Sequence, residues 1–574
     1  AGSLTVNSEQ LAVNRVVLDN GSLAVKATGA GNSGNLSVNA RTVELNNGAE
    51  ISASTNSGAG ESVTLTNVDT LTLNNGSQIT ATTQTGRAGS ITVNSGQNPV
   101  NTLAVNENSA ISAQATGERG EAGSVALNTR TLTLENGAVS ASNQSGTVGG
   151  DVTLENLETL TVNQGEISAS TVDGSAGSLT VNSNQLAVNR VSLNNGSLAV
   201  KATGTGNSGN LSVNARTVEL NNGAEISAST NSGAGGNITL PQLETLDINN
   251  SQISASTATG SAGSILINSA ERVRLQNQGR ITVEATDGGT AGNLELTTDT
   301  LTLTENSRIS VSSLTGQAGN IDIRTKDLLL DRSAITAETG TSDQESGANI
   351  NLSASNLLTL RLQNESLISA TANADADGGN ITIDAPFLLA NPATGADGSD
   401  IIAKAVRGAG GQITVNALGI FGISEGRAIA GNGTNNFDAS SEFGAPGVVQ
   451  LNQAVDPNRG LTQLPETVTD PNELIAQNVC RRGKESELTQ TGKGGLPPTL
   501  EDDFQGEPAL PPLVEPVASQ SSAPTSSTPT PISSKDVQPA QGWILNAQGQ
   551  IELVSYQTQG LEVRRSAPKS TSCP

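Results

Sequence analysis

GNLSVNARTVELNNGAEISASTNSGAG, residues 34–60, decides the fold. Leu36 and Val38 alternate with Asn35, Ser37 and Asn39; Val43 and Leu45 with Thr42 and Glu44; Ile51 and Ala53 with Glu50, Ser52 and Ser54. A period of two marks each triplet as a half-buried strand. Asn46-Asn47-Gly48 and Asn56-Ser57-Gly58-Ala59-Gly60 separate the triplets, and Gly and Asn accept the positive φ that tight corners use.

The unit recurs. A glycine precedes a short alternating strand at Gly2, Gly34, Gly89, Gly123 and Gly177, and again at Gly209, Gly263, Gly292, Gly319, Gly379 and Gly411. A period of roughly 27–34 residues is that of a stacked repeat. Three strands and three corners per repeat fit one turn of a right-handed, single-stranded parallel β-helix better than antiparallel hairpins. Stacking in register lines the interior with Val, Leu, Ile and Ala and satisfies each backbone group along the rod. About fifteen coils between Gly2 and residue 440 predict a rod on the order of 70 Å long. Asn stacked at corners predicts side-chain ladders. Residues 1–60 and 176–235 differ at four positions only: Glu9/Asn184, Val17/Ser192, Asp19/Asn194 and Ala30/Thr205. Duplication of a six-coil block lengthens a rod and rarely copies a catalytic centre.

Composition narrows function. The formal charge of −25 argues against nucleic acid as a partner. There is no stretch of 18 apolar residues, so no transmembrane helix is expected. No His is present, which removes the commonest general base. The chain has no Met and begins inside a repeat, so it reads as a fragment or a processed product. Every Phe, the Trp and the Tyr lie at or after Phe387, which leaves the regular coils without platforms for sugar stacking.

Candidate chemistry is sparse. Asp375 and Asp377 in NADADGGN have the alternating carboxylates of a calcium loop, but the cluster occurs once and reads better as a solvated corner. Arg272, Arg274 and Arg280 are the densest basic group in the rod, as a polysaccharide lyase on a β-helix would need, and read better as an exposed strand face. Thr64-Leu65-Thr66, Thr131-Leu132-Thr133 and Ser52-Ala53-Ser54 have the pattern of an ice-binding face but are not expected at one position in every coil. No metal, cofactor or catalytic residue is assigned, and the chain is read as a non-enzyme. Cys480 and Cys573, the only cysteines, read either as a disulfide closing a loop of about 90 residues in an oxidising compartment or as two unrelated thiols; the disulfide is preferred.

The organisation expected is β-helix over 1–440, with irregular last coils; a cap or transition over 441–492; a disordered Pro/Ser/Thr-rich linker over 493–540; and a small terminal hairpin and tail over 541–574.

The coils resemble those of filamentous haemagglutinin-type exoproteins of two-partner secretion. Leu474-Ile475-Ala476-Gln477 ahead of Cys480, then Gly494-Gly495-Leu496-Pro497-Pro498, then Gln541-Gly542-Trp543 with Asn546 and Gly549, are similar to the C-terminal portion of the large cyanobacterial members. No NPNG-type motif of that family's secretion domain occurs in this sequence. The resemblance implies a secreted or cell-surface adhesive or structural rod outside the outer membrane. Its implied partners are a separate outer-membrane two-partner transporter and surface glycans or receptors on host or neighbouring cells. It also implies that Cys480 and Cys573 tether the chain. The Pro-rich tail, poor in aromatics, argues against a terminal β-barrel of the chain's own. The competing readings are a polysaccharide-active β-helix enzyme and a calcium-stabilised surface-layer component.

Overall fold

A computed structural model describes residues 1–453, apart from 9–10, 118, 145–147, 184–186, 341–346 and 355–358, together with 542–545 and 551–554. The chain divides into two units, Ala1–Leu461 and Thr462–Pro574. The first is an all-β parallel solenoid of about 14 turns, with no helix among the described residues.

Alternation places the strands as expected. Residues 34–60 form strands Leu36–Asn46 and Glu50–Thr55, with Leu36, Val38, Val43, Leu45, Ile51 and Ala53 fully buried. The first two strands of the expected three run into one another here, because Asn39-Ala40-Arg41 bends without breaking the ladder. Strands of the first two positions therefore belong to one 25-stranded sheet, and strands of the third to a 16-stranded sheet. Register is kept from coil to coil. Leu4 pairs with Leu36, Leu36 with Val63, Val63 with Ile91 and Ile91 with Val125, and so on to Ile413 and Val449. Each inward position becomes a file of aliphatic side chains along the axis. Burying one such side chain is worth about 1.5–3 kcal/mol, so the files hold the coils together. Coils about 4.8 Å apart make a rod on the order of 65–70 Å long.

The corners obey two different rules. Between the second and third strands the chain turns through left-handed residues, such as Asn47 (φ 54°) and Gly48 (φ 76°). Asn is favoured there because it tolerates that conformation and because its amide meets the coil below. Asn75 Nδ2 donates to Asn47 Oδ1 (3.1 Å) and Asn136 Nδ2 to Asn108 Oδ1 (2.9 Å); one residue earlier, at the strand end, Asn74 Nδ2 donates to Asn46 Oδ1 and Asn106 Nδ2 to Asn74 Oδ1, both at 3.0 Å. These are the expected ladders. The glycine that opens each coil is not a positive-φ residue. A Cβ on Gly34 would strike the carbonyl of Gly2; on Gly209, that of Gly177; on Gly263, that of Gly236. The coils pass so close at this corner that backbone touches backbone, and side-chain volume is what the position excludes. Only Glu61 and Ala348 interrupt that file between Gly34 and Gly411.

Toward the end of the rod, Phe437 fills the interior at 1% exposure and stacks on Ile401. Gly431 and Gly433, both at positive φ, open a loop there. Val448–Gln453 still pairs in parallel with Gln412–Ala417. In the second unit, Gly542–Leu545 and Ile551–Val554 pair antiparallel, as the expected terminal hairpin. The linker 493–540, Cys480 and Cys573 lie outside the described residues.

Candidate functional site

With the interior filled, chemistry is confined to outward strand positions and corners. The residues singled out from the sequence scatter over different faces. Thr64 and Thr66 lie on a first-position strand, Thr131 and Thr133 on a second-position strand, and Ser52 and Ser54 on a third-position strand. Thr70, Thr102, Thr131 and Thr159 do stack in register, but Arg190 interrupts the file after Thr159.

Arg272 and Arg274 are on a second-position strand and Arg280 opens the next third-position strand. Arg272 is held by Asp247 at 2.9 Å, so the three form no common basic centre. Asp375 accepts from Arg407 (3.2 Å), and Asp377 accepts from the backbone N–H of Ala409 in the next coil (2.6 Å). Both carboxylates are engaged as inter-coil struts. Among the described residues no group of three acids or thiols has metal-ligating geometry.

A site the sequence reading missed lies at the corner between the first two strands. Most coils pass it in a few residues, but in three coils more residues separate the two strands: Val6 from Val13, Val93 from Val100 and Val181 from Val188. These stretches follow one pattern, Asn-Ser-x-Gln-x-x-Val-Asn, beginning at Asn7, Asn94 and Asn182. The pattern returns every third coil, so the six-coil duplication is itself two three-coil blocks.

Asn94 (φ 47°) and Asn182 (φ 48°) do the same work. Asn94 Oδ1 accepts from Val68 N (2.9 Å) and its Nδ2 donates to Val68 O (2.7 Å). Asn182 Oδ1 accepts from Leu157 N (2.9 Å) and its Nδ2 donates to Leu157 O (2.9 Å). Each amide thus imitates a strand partner and pins the corner of the coil below. The outward residue beside that corner repeats too: Asn14, Arg41, Asp69; Asn101, Arg130, Glu158; Asn189, Arg216, Glu244. Arg130 pairs with Glu158 (2.5 Å) and Arg216 with Glu244 (2.8 Å).

Two grooves lie along this flank. The first, about 690 Å³, is lined by Ala12, Arg41, Asn67, Asp69, Asn94 and Gln97. The second, about 570 Å³, is lined by Arg130, Asn156, Glu158, Asn182, Arg216 and Glu244. Neither is lined by an aromatic residue, and of the lining carboxylates Glu158 and Glu244 are held in ion pairs with Arg130 and Arg216.

One buried charge cluster exists near the end of the rod. Asp438, 2% exposed at its side chain, pairs with Lys404 at 2.8 Å. Burial pushes its pKa up, but Lys404, the Ser440 hydroxyl and N–H, and the Ala428 N–H overcome this and hold it below the usual carboxylate range. Asp400, also buried, accepts from Asn436 N (2.8 Å), yet burial raises its pKa. These groups fasten the 426–436 loop to the last coils: Ala428 N donates to Asp438 Oδ2 and Lys404 Nζ to Ala428 O, both at 2.7 Å.

No described helix is long and apolar enough to cross a membrane. No protein-family model, curated protein or solved structure matches the chain.

Proposed function

We propose that the chain is the rod of a secreted or cell-surface exoprotein that acts in adhesion or surface structure, without catalysis. The observation that carries this reading is the continuous solenoid itself. About 14 coils share one interior and present repeated outward faces, so the molecule is a spacer that displays many copies of one surface. Of the acids and bases the sequence offered for catalysis, Arg272, Asp375 and Asp377 are engaged in contacts between coils, which supports a structural role over a lyase-type centre. Export by a two-partner outer-membrane transporter follows from the resemblance of the coils and tail, and coil-by-coil folding outside the cell would oppose backsliding.

Protease treatment of intact cells of the native host tests the location. The chain should be digested while cytoplasmic markers survive, and deletion of the matching transporter should abolish surface exposure. A chain protected in intact cells but digested after lysis would overturn the reading. For the tether, Cys573→Ser should move protein from cells to medium, and unchanged retention would sink it.

A further inference from the structure

We propose that the corner grooves form a row of equivalent binding sites, one per three coils, for an uncharged linear polysaccharide lying along the rod. This deepens the adhesive reading and depends on it for its biological setting.

The first argument is repetition. Arg41, Asn67, Asp69 and Asn94 of the first groove correspond one for one to Arg130, Asn156, Glu158 and Asn182 of the second. Their scaffolding corresponds as well. Asp69 N donates to Arg41 O and Glu158 N to Arg130 O, both at 2.7 Å, and Asn67 and Asn156 donate to Asn39 Oδ1 (2.9 Å) and Asn128 Oδ1 (2.8 Å). The second groove reaches the next copy at Arg216 and Glu244. Three coils span about 14 Å, so the sites form a ruler that a repeating polymer can read.

The second argument is lining chemistry. Asn94 and Asn182 are taken up by the coil below, but Arg41, Asp69 and Gln97 in the first groove and the exposed Arg130–Glu158 and Arg216–Glu244 pairs in the second offer donors and acceptors in balance, which suits hydroxyl groups. Each paired arginine is neutralised by its acid, and the chain carries −25, so a polyanion meets net repulsion. An added peptide strand is excluded, because the strand edges on this flank are already paired with the coils above and below.

The test uses the purified chain and a panel of soluble polymers: dextran, laminarin and galactomannan as neutral glycans, alginate as the acidic control. One neutral glycan should bind. Oligosaccharides of the same sugar too short to bridge two grooves should bind about 10²-fold more weakly, because avidity is lost. Arg41→Ala, Arg130→Ala and Arg216→Ala should weaken polymer binding stepwise, and the triple variant by about 10²-fold. Arg130 and Arg216 are about half exposed, and an unchanged melting curve shows that the variants fold; if the triple variant unfolds, the chain-length dependence of the wild type decides alone. No binding by any neutral glycan, tighter binding of alginate, or a folded triple variant that binds as well as wild type would overturn the proposal. If the chain is at the cell surface and binds none of the neutral glycans, the groove inference fails and the surface-rod reading stands. If a glycan binds a chain found only inside the cell, the reverse holds.

Discussion

Two kinds of glycine occupy the corners, and they answer to different forces. Gly263 faces Gly236 O, Gly236 C and Asn237 N, all backbone and none able to yield. Gly263→Ala should cost about 1–3 kcal/mol, the range for overpacking a tight contact. Gly76 sits at φ 73° with nothing within 4 Å of a Cβ. Its register equivalent in the next coil is Asn108, also at positive φ. Gly76→Asn should therefore be close to neutral, within about 0.5 kcal/mol. Urea melts of the two variants check the contrast, and equal costs would show that the close backbone approach is not what selects the opening glycine. The αL corners were legible in the sequence, since Asn-Asn-Gly names the conformation. The reason for the opening glycine was not, because it is a distance between residues about 27–34 apart in the chain and only stacking creates it.

At the scale of an element, each coil is held by its files. Asn74 is a middle rung, donating to Asn46 and accepting from Asn106, both at 3.0 Å. Asn74→Ala removes both bonds from a partly exposed corner and should cost about 1–2 kcal/mol. Ile226, fully buried between Leu198 and Ile253 in register, sits in the aliphatic file. Ile226→Ala should cost about 2–5 kcal/mol, and the same melts that measure it should rank it above Asn74→Ala. If the two costs were equal, the ladders would carry as much of the inter-coil cohesion as the core. Strand positions and inward faces followed directly from the period of two. The fusion of the first two strands did not, because Asn39-Ala40-Arg41 contains no residue that forbids extended backbone. The grooves were written in the sequence as Asn-Ser-x-Gln-x-x-Val-Asn at Asn7, Asn94 and Asn182. The near-identity of two of these stretches drew attention to the six-coil period and away from the divergent middle copy.

In the whole solenoid, each coil touches only its neighbours, so stability is close to a sum of coil and interface terms and damage stays local. The buried charges near the end of the rod make this measurable. Asp438 has a lowered pKa in the folded chain, so its contribution is present above the usual carboxylate pKa and is lost as pH falls through the lowered value. Asp400 has a raised pKa; its charged form is penalised in the folded state, and that penalty is relieved as pH falls through the raised value. The two signs oppose each other in sequence. Acidification from neutrality should first hold or increase amide protection of strands 400–402 and 436–438, then abolish it at lower pH, below the ordinary carboxylate range. Asp400→Asn should remove the early gain. Asp438→Asn should lower protection already at neutral pH by about 2 kcal/mol, less than for a fully buried pair because Lys404 is partly exposed, and should remove the late loss. Hydrogen exchange resolved by segment provides the control, since strands near residues 100–200 contain none of these groups and should be unchanged by either substitution. A uniform change along the rod would show that the coils unfold as one cooperative unit, and the nearest-neighbour account of this solenoid would then be wrong.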